Sequence, residues 1–207
     1  MTSYEQRIAN FVAPYSGLGR HDAVVACYHN VRNFSYLSDG VRDPEQVLIR
    51  EAGSCSGKHI ILRDALLALG EDAQIETVEG DFAAGVPVHA TMSSSLKQII
   101  ETAQIRDFHQ FVLWKTTGEN CRLDATWPDA MAEVGFTVNT SWQGSGHTEL
   151  ALSPTRFCGQ SDDIMHSKAG MLAALSPEER ESRLVFLQEF SKWVATINPP
   201  KGENNVD

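Results

Sequence analysis

The stretch Gly53-Ser54-Cys55-Ser56-Gly57, running on through 58–69 to Gly70, changes character at its cysteine. Beyond it Ile61, Leu62, Ala65, Leu66 and Leu69 recur at helical spacing, and Gly70 is the residue type that commonly ends a helix. The spacing predicts a buried helix with Cys55 at its mouth. The first N–H groups of a helix have no intrahelical partner and carry partial positive charge, so a thiolate placed there is stabilised. The N–H of Cys55 itself can serve the oxygen of a tetrahedral intermediate. Gly53 and Gly57 read as room for a substrate backbone, although a glycine-bounded helix start equally serves plain chain geometry.

A thiol becomes a nucleophile when a base reaches it, and the base needs a third group to fix its tautomer. Working outward, the clearest hairpin signal is 108–114, then Thr116-Thr117-Gly118-Glu119, then 121–127. An even-numbered turn centred on Thr117-Gly118 pairs residues whose numbers add to 235, so Phe111 faces Asp124 and His109 faces Thr126. His109 and Asp124 are then diagonal neighbours on one face, roughly 7 Å apart in the backbone. An odd-numbered turn would put them on opposite faces. Taken singly, His109 reads as a solvent-facing strand histidine and Asp124 as a turn carboxylate. With Cys55 they form a candidate Cys-His-Asp set: nucleophile, general base and orienting carboxylate. His59, four residues after Cys55, shares its helix face, but no compact Cys/His cluster accompanies it, so no metal site is expected.

The flanking sequence predicts helices over 3–13 and 22–34, a short helical piece over 45–50, strands over 73–78 and 86–90, and a helix over 93–103. Residues 136–160 are rich in Gly, Ser and Thr and read as loops with one strand at 149–152. Ser176-Pro177-Glu178-Glu179 is an N-cap, a first-turn proline and a capping-box glutamate, ahead of an apolar face from Leu184 to Ile197. Helices first, strands in the second half and a closing helix predict an α+β class. One domain over 1–198 is expected, with its core at about 28–128, a helical extension over 161–198 and a flexible tail over 199–207.

Composition narrows the functional classes. Seventeen Lys and Arg against 27 Asp and Glu give a net charge of −10, which disfavours nucleic acid and an anionic membrane surface as partners. With 42% hydrophobic and 21% charged residues the chain is expected to bury a core. No apolar run is long enough to span a bilayer and Met1 to Tyr15 has no apolar h-region, so a cytoplasmic location is expected. The cysteines at 27, 55, 121 and 158 form no C-x-x-C pair, and reduced thiols are expected. For Cys27, Cys121 and Cys158 an inert thiol is the commoner reading.

These residues together resemble the transglutaminase-like superfamily, a branch of the papain-like cysteine enzymes. The nucleophile motif G-x-C matches Gly53-Ser54-Cys55, and the helix ends at Leu69-Gly70 after an aromatic-turn-proline segment over 34–48. The histidine strand matches Asp107-Phe108-His109, and the D-x-T-W-like strand matches Leu123-Asp124-Ala125-Thr126-Trp127, in the order Cys, His, Asp. The match covers about residues 28–128 and departs from the family at Gln110, where many relatives carry an aromatic residue. The resemblance implies a papain-like α+β core, with the nucleophile helix packed on an antiparallel sheet. It also implies acyl transfer through a thioester without metal or organic cofactor. The expected activity is that of an amidase, a peptidase or an enzyme passing an acyl group to an amine, with a peptide, protein or small amide as substrate. Alternatives are a binding module that keeps the fold without turnover, and a biosynthetic acyltransferase fed by a carrier-bound thioester. Ser54 and Trp127 are candidate substrate contacts. Trp114, Trp127 and Trp142 read either as a hydrophobic groove or, more commonly for tryptophans in strands, as core. The oligomeric state stays open.

Overall fold

The computed structural model describes residues 2–41, 43–160 and 164–199. Helix α1 (Ser3–Val12) starts with a capping box, in which Thr2 Oγ1 accepts the Glu5 N–H at 3.2 Å and the Glu5 carboxylate accepts the Thr2 N–H at 2.7 Å. A 3-10 turn (Ala13–Tyr15) leads into α2 (Arg20–Arg32). Both helices fall where the apolar spacing places them. Next come β1 (Ser35–Tyr36), α3 (Pro44–Arg50) and β2 (Ala52–Gly53). Asp43 caps α3, and Glu51 ends it with a φ of 47°, a left-handed conformation that swings the chain back toward β1. There Ser35 pairs with Ala52 and Tyr36 with Gly53, in parallel. That bridge fixes the residue preceding the Ser54-Cys55 step beside Tyr36.

Helix α4 (Cys55–Ala68) has Ser54 as its N-cap, and Gly70, with a φ of 83°, follows its end. The glycines around Cys55 serve packing, and Gly57 also lines the cleft at Cys55. A Cβ on either Gly53 or Gly57 would come within 2.9 Å of the Val47 side chain, so their smallness lets α3 lie against the mouth of α4.

Four strands form an antiparallel sheet in the order β5-β4-β3-β6: β3 (Asp72–Asp81), β4 (Arg106–Lys115), β5 (Cys121–Leu123) and β6 (Ser153–Gln160). The strand expected over 86–90 is absent: after β3 the chain makes a 3-10 turn (Ala83–Gly85), and Pro87 has no N–H to give to a ladder. Helix α5 (Ser94–Thr102) follows, capped by Ser93. The strand expected at 149–152 lies instead at β6. Pro154 and Gly159 hid it. An edge position tolerates both, because one ladder face is free, and β6 meets β3 through two register shifts.

Helices α6 (Ile164–Ala173) and α7 (Pro177–Ile197) close the chain. The Ser176/Glu179 capping box of α7 is formed as the sequence predicts. The expected tail over 199–207 lies, apart from Pro199, outside the described residues. The class is thus α+β with an antiparallel sheet. Successive sheet residues serve two cores. Ala73, Ile75, Val112 and Trp114 pack with α1, α2 and α4, while Val78 and Phe111 join Phe82, Trp127 and the α7 residues Phe186 and Phe190. Among the described residues no helix is long and apolar enough to cross a membrane.

Candidate active site

Cys55 is the first helical residue of α4, and the helical ladder begins with the Lys58 N–H on the Ser54 carbonyl at 3.0 Å. The N–H groups of Cys55, Ser56 and Gly57 precede that first bond, as the geometry of a helix start requires. Strand β4 carries His109 to the same place. The hairpin register is the even-numbered one, with Val112 opposite Leu123, Leu113 opposite Arg122 and Trp114 opposite Cys121. The ladder stops at Leu123, but the count already puts Asp124 on the face of His109, and the carboxylate Oδ2 lies 2.6 Å from His109 Nε2. With Nε2 so occupied, Nδ1 is the ring nitrogen left to exchange a proton with Cys55, which lines the same cleft and whose thiol the imidazole helps to hold down.

The carboxylate is held tightly. Asp124 Oδ1 accepts the Thr126 N–H at 2.9 Å, and Oδ2 also accepts the Ala151 N–H at 2.7 Å. Its own N–H donates to Thr148 Oγ1 at 2.7 Å, and its carbonyl accepts from the Tyr28 hydroxyl at 2.9 Å. The turn beyond it is fastened to α4 by Lys58, which is fully buried and donates to the carbonyls of Arg32, Phe34 and Thr126 at 2.7 to 2.9 Å. His59 completes the clamp. Its Nε2 accepts the Ala125 N–H at 2.7 Å, which puts the ring hydrogen on Nδ1, and its ring stands edge-on to His109 with centroids 5.8 Å apart. It is a neighbour of the set and its support.

Burial and charge compete at each member. Burial alone would raise the Asp124 carboxyl, but the His109 imidazolium holds it well below the usual carboxylate range. Burial would depress His109, yet Asp124 and the Cys55 thiolate push it up to about 10. At Cys55 burial again favours the neutral form; the Lys168 ammonium, and then His109, overcome it and bring the thiol down to about 5. A thiolate beside an imidazolium is the resulting state. Cys27, with no such neighbours, is pushed up by burial to about 12.

Cys55 and His109 open onto a cleft of about 450 Å³, within the range of small-molecule sites. Tyr36, Phe82, Leu152, Leu172 and Leu187 give it apolar walls, and Ser54, Ser56 and Lys168 supply polar groups near the sulfur. Arg183 of α7 grips Asp107 through two bonds of 2.8 and 3.2 Å on its floor.

Of the residues singled out in the sequence, Cys55, His109 and Asp124 come together and Ser54 lines the cleft. Trp127 does not belong to the lining and is corrected to a core residue. It packs against Tyr36 at 4.9 Å and Phe136 at 4.8 Å, because the chain bends away from the sheet after Leu123. Trp114 and Trp142 are likewise buried against each other in the first core. Gln110, next to His109, points to the opposite face toward Thr77, so it forms no substrate wall. The sequence reading missed Lys168, Ser56, Asp107, Arg183 and Tyr36. Asp107 and Ser56 adjoin the motif residues and were within reach of it. Lys168 and Arg183 arrive from helices more than forty residues beyond Trp127, and no local pattern marks them. Among the described residues no set of three or more His, Cys, Asp or Glu side chains could hold a metal ion. Compared with known proteins, the chain matches no protein-family model and no curated protein.

Proposed function

We propose that the chain is a cysteine-dependent amide- or acyl-processing enzyme built on a transglutaminase-like, papain-type core, working through Cys55, His109 and Asp124. One observation carries the reading: a thiol at the first position of a buried helix opens onto the same cleft as an imidazole whose Nε2 lies 2.6 Å from a buried carboxylate. Three side chains from α4, β4 and the turn after β5 have no structural need to converge in that order.

The chemistry follows from the charges. The Cys55 thiolate adds to the carbonyl carbon of an amide, a C–S bond forms and the carbonyl π pair moves to oxygen. When the tetrahedral intermediate collapses, the C–N bond breaks and the leaving amine takes its proton from the His109 imidazolium, leaving a thioester on Cys55. Water, or a second amine, then attacks the thioester while neutral His109 takes its proton, and the C–S bond breaks to return the thiolate. Asp124 keeps the ring oriented and stabilises its charged form. We favour water as the acceptor, since hydrolysis needs no second binding site. The apolar walls fit an uncharged acyl group from a peptide, protein or small amide. A cytoplasmic setting, where the free thiols would stay reduced, suits the same chemistry.

The test is to incubate the wild type and Cys55→Ala with a mixed peptide and amine library and to search for acyl adducts by mass spectrometry. Adducts on Cys55 that vanish in the variant support the reading. Ligand binding that survives Cys55→Ala, with no adduct ever trapped on the wild type, replaces it with a binding module.

A further inference from the structure

The three central residues are not electrically balanced by themselves. A thiolate, an imidazolium and a carboxylate leave one unit of negative charge in a buried setting, where an uncompensated charge is costly. Asp107 and Arg183 cancel each other in their two-bond pair and contribute no net charge. A cation in direct contact with the sulfur comes from α6. Lys168 Nζ lies 3.7 Å from Cys55 Sγ and 3.2 Å from Ser56 Oγ. Because Ser56 belongs to the first turn of α4, this contact stands the ammonium over the helix mouth, beside the N–H groups that precede the helical ladder.

In acyl transfer the negative charge moves from sulfur to the carbonyl oxygen, which is bonded to the carbon that the sulfur attacks. A cation already in contact with the sulfur, and steered by a hydroxyl of the same helical turn, is placed to follow it. We propose that Lys168 is a catalytic residue of this site, donating to the oxyanion alongside the Cys55 backbone N–H, with Ser56 as its positioning residue. The assignment rests on the acyl-transfer reading of Cys55. Lys168 loses no proton: the C–S bond forms, the π pair moves to oxygen, and the ammonium N–H turns from sulfur to that oxygen. The net charge of the site is the same before and after the charge moves.

The proposal separates two reactions of the same thiolate. Alkylation by iodoacetamide is a displacement at carbon with no oxyanion, whereas acylation by p-nitrophenyl acetate passes through one. The experiment measures both rate constants on the full chain, at a pH above the thiol titration of each protein, for wild type, Lys168→Met and Lys168→Arg. Lys168→Met should slow acylation by on the order of 10²-fold, the usual effect of removing one oxyanion donor, and change alkylation only a few-fold. Lys168→Arg, which keeps the charge, should recover part of the acylation rate. An unchanged ratio of the two rates in Lys168→Met overturns the assignment while leaving Cys55 as the nucleophile. Should Lys168→Met fail to fold, the same ratio in Lys168→Arg and Ser56→Ala decides, and wild-type ratios in both overturn it. Failure of the wild type to form any acetyl-Cys55 overturns this assignment and the acyl-transfer reading together.

Discussion

Cys27 and Cys55 are both buried thiols on helices, and their environments drive them in opposite directions. Cys27 lies in the middle of α2 among Val24, Tyr28 and Val31, and desolvation leaves its proton firmly attached, at about 12. Cys55 suffers the same desolvation, yet the Lys168 ammonium and the His109 imidazolium bring it down to about 5. Burial is therefore not what distinguishes a structural from a reactive cysteine in this chain. The difference lies in which charged groups are buried with it, and at Cys55 those groups come from two distant stretches of sequence.

The sharpest way to break the contrast is to remove a member of the set. Asp124→Asn should lower turnover by about 10⁴-fold, since an orienting amide stabilises the wrong tautomer and gives the imidazolium no counter-charge. Cys55→Ala should abolish the acyl intermediate altogether, and both are read as turnover of a substrate found in the library screen. The contrast can also be followed by pH. In the wild type the Cys55 alkylation rate should rise through a midpoint of about 5. His109→Ala removes one of the two charges that hold the thiol down, so the midpoint should move up toward the ordinary thiol value of 9.0, with Cys55 drawing nearer to Cys27 in behaviour.

The sign of the linked stability follows from the same shifts. The depressed Cys55 pKa contributes stability that is fully present above the ordinary thiol value and is lost as pH falls through about 5. The raised His109 pKa contributes stability that is fully present below the ordinary imidazole value and is lost as pH rises through about 10. The thiolate–imidazolium pair should thus persist between those limits, visible as a plateau in the alkylation profile.

Smaller effects sharpen the line between scaffold and site. Trp127→Ala, in the second core, should cost about 3–5 kcal/mol in denaturant unfolding while leaving the Cys55 alkylation midpoint of the folded protein in place. Gly57→Ala pushes a methyl group into Val47 and should cost about 1–3 kcal/mol, with a measurable shift at Cys55 only if α4 moves.

Much of the site was legible in the sequence because its parts are local. The helix mouth is written in Gly53-Ser54-Cys55 and the apolar spacing after it, and the His109/Asp124 pairing follows from one even-numbered turn. The α7 cap could be read from four residues. What escaped depends on distant packing. The pairing of β1 with β2 involves two residues on each side and has no periodicity to show. Edge strand β6 carries the proline and glycine that argue against a strand anywhere but at an edge. Trp127 ends the D-x-T-W-like stretch and reads from sequence either as a cleft contact or as core; it lies in the core because the chain turns inward after Leu123. Lys168 acquires its meaning only when α6 folds back over α4, a contact across 113 residues.

The most direct measurement is a time-resolved iodoacetamide map of the native protein at mildly acidic pH. Exposure alone favours Cys158, which is half-buried on the sheet edge and whose pKa burial pushes up, over Cys55, which is only 9% exposed. The account predicts that Cys55 is labelled first and that Cys27 stays unlabelled until the protein unfolds. Labelling of Cys158 or Cys121 ahead of Cys55 would contradict it.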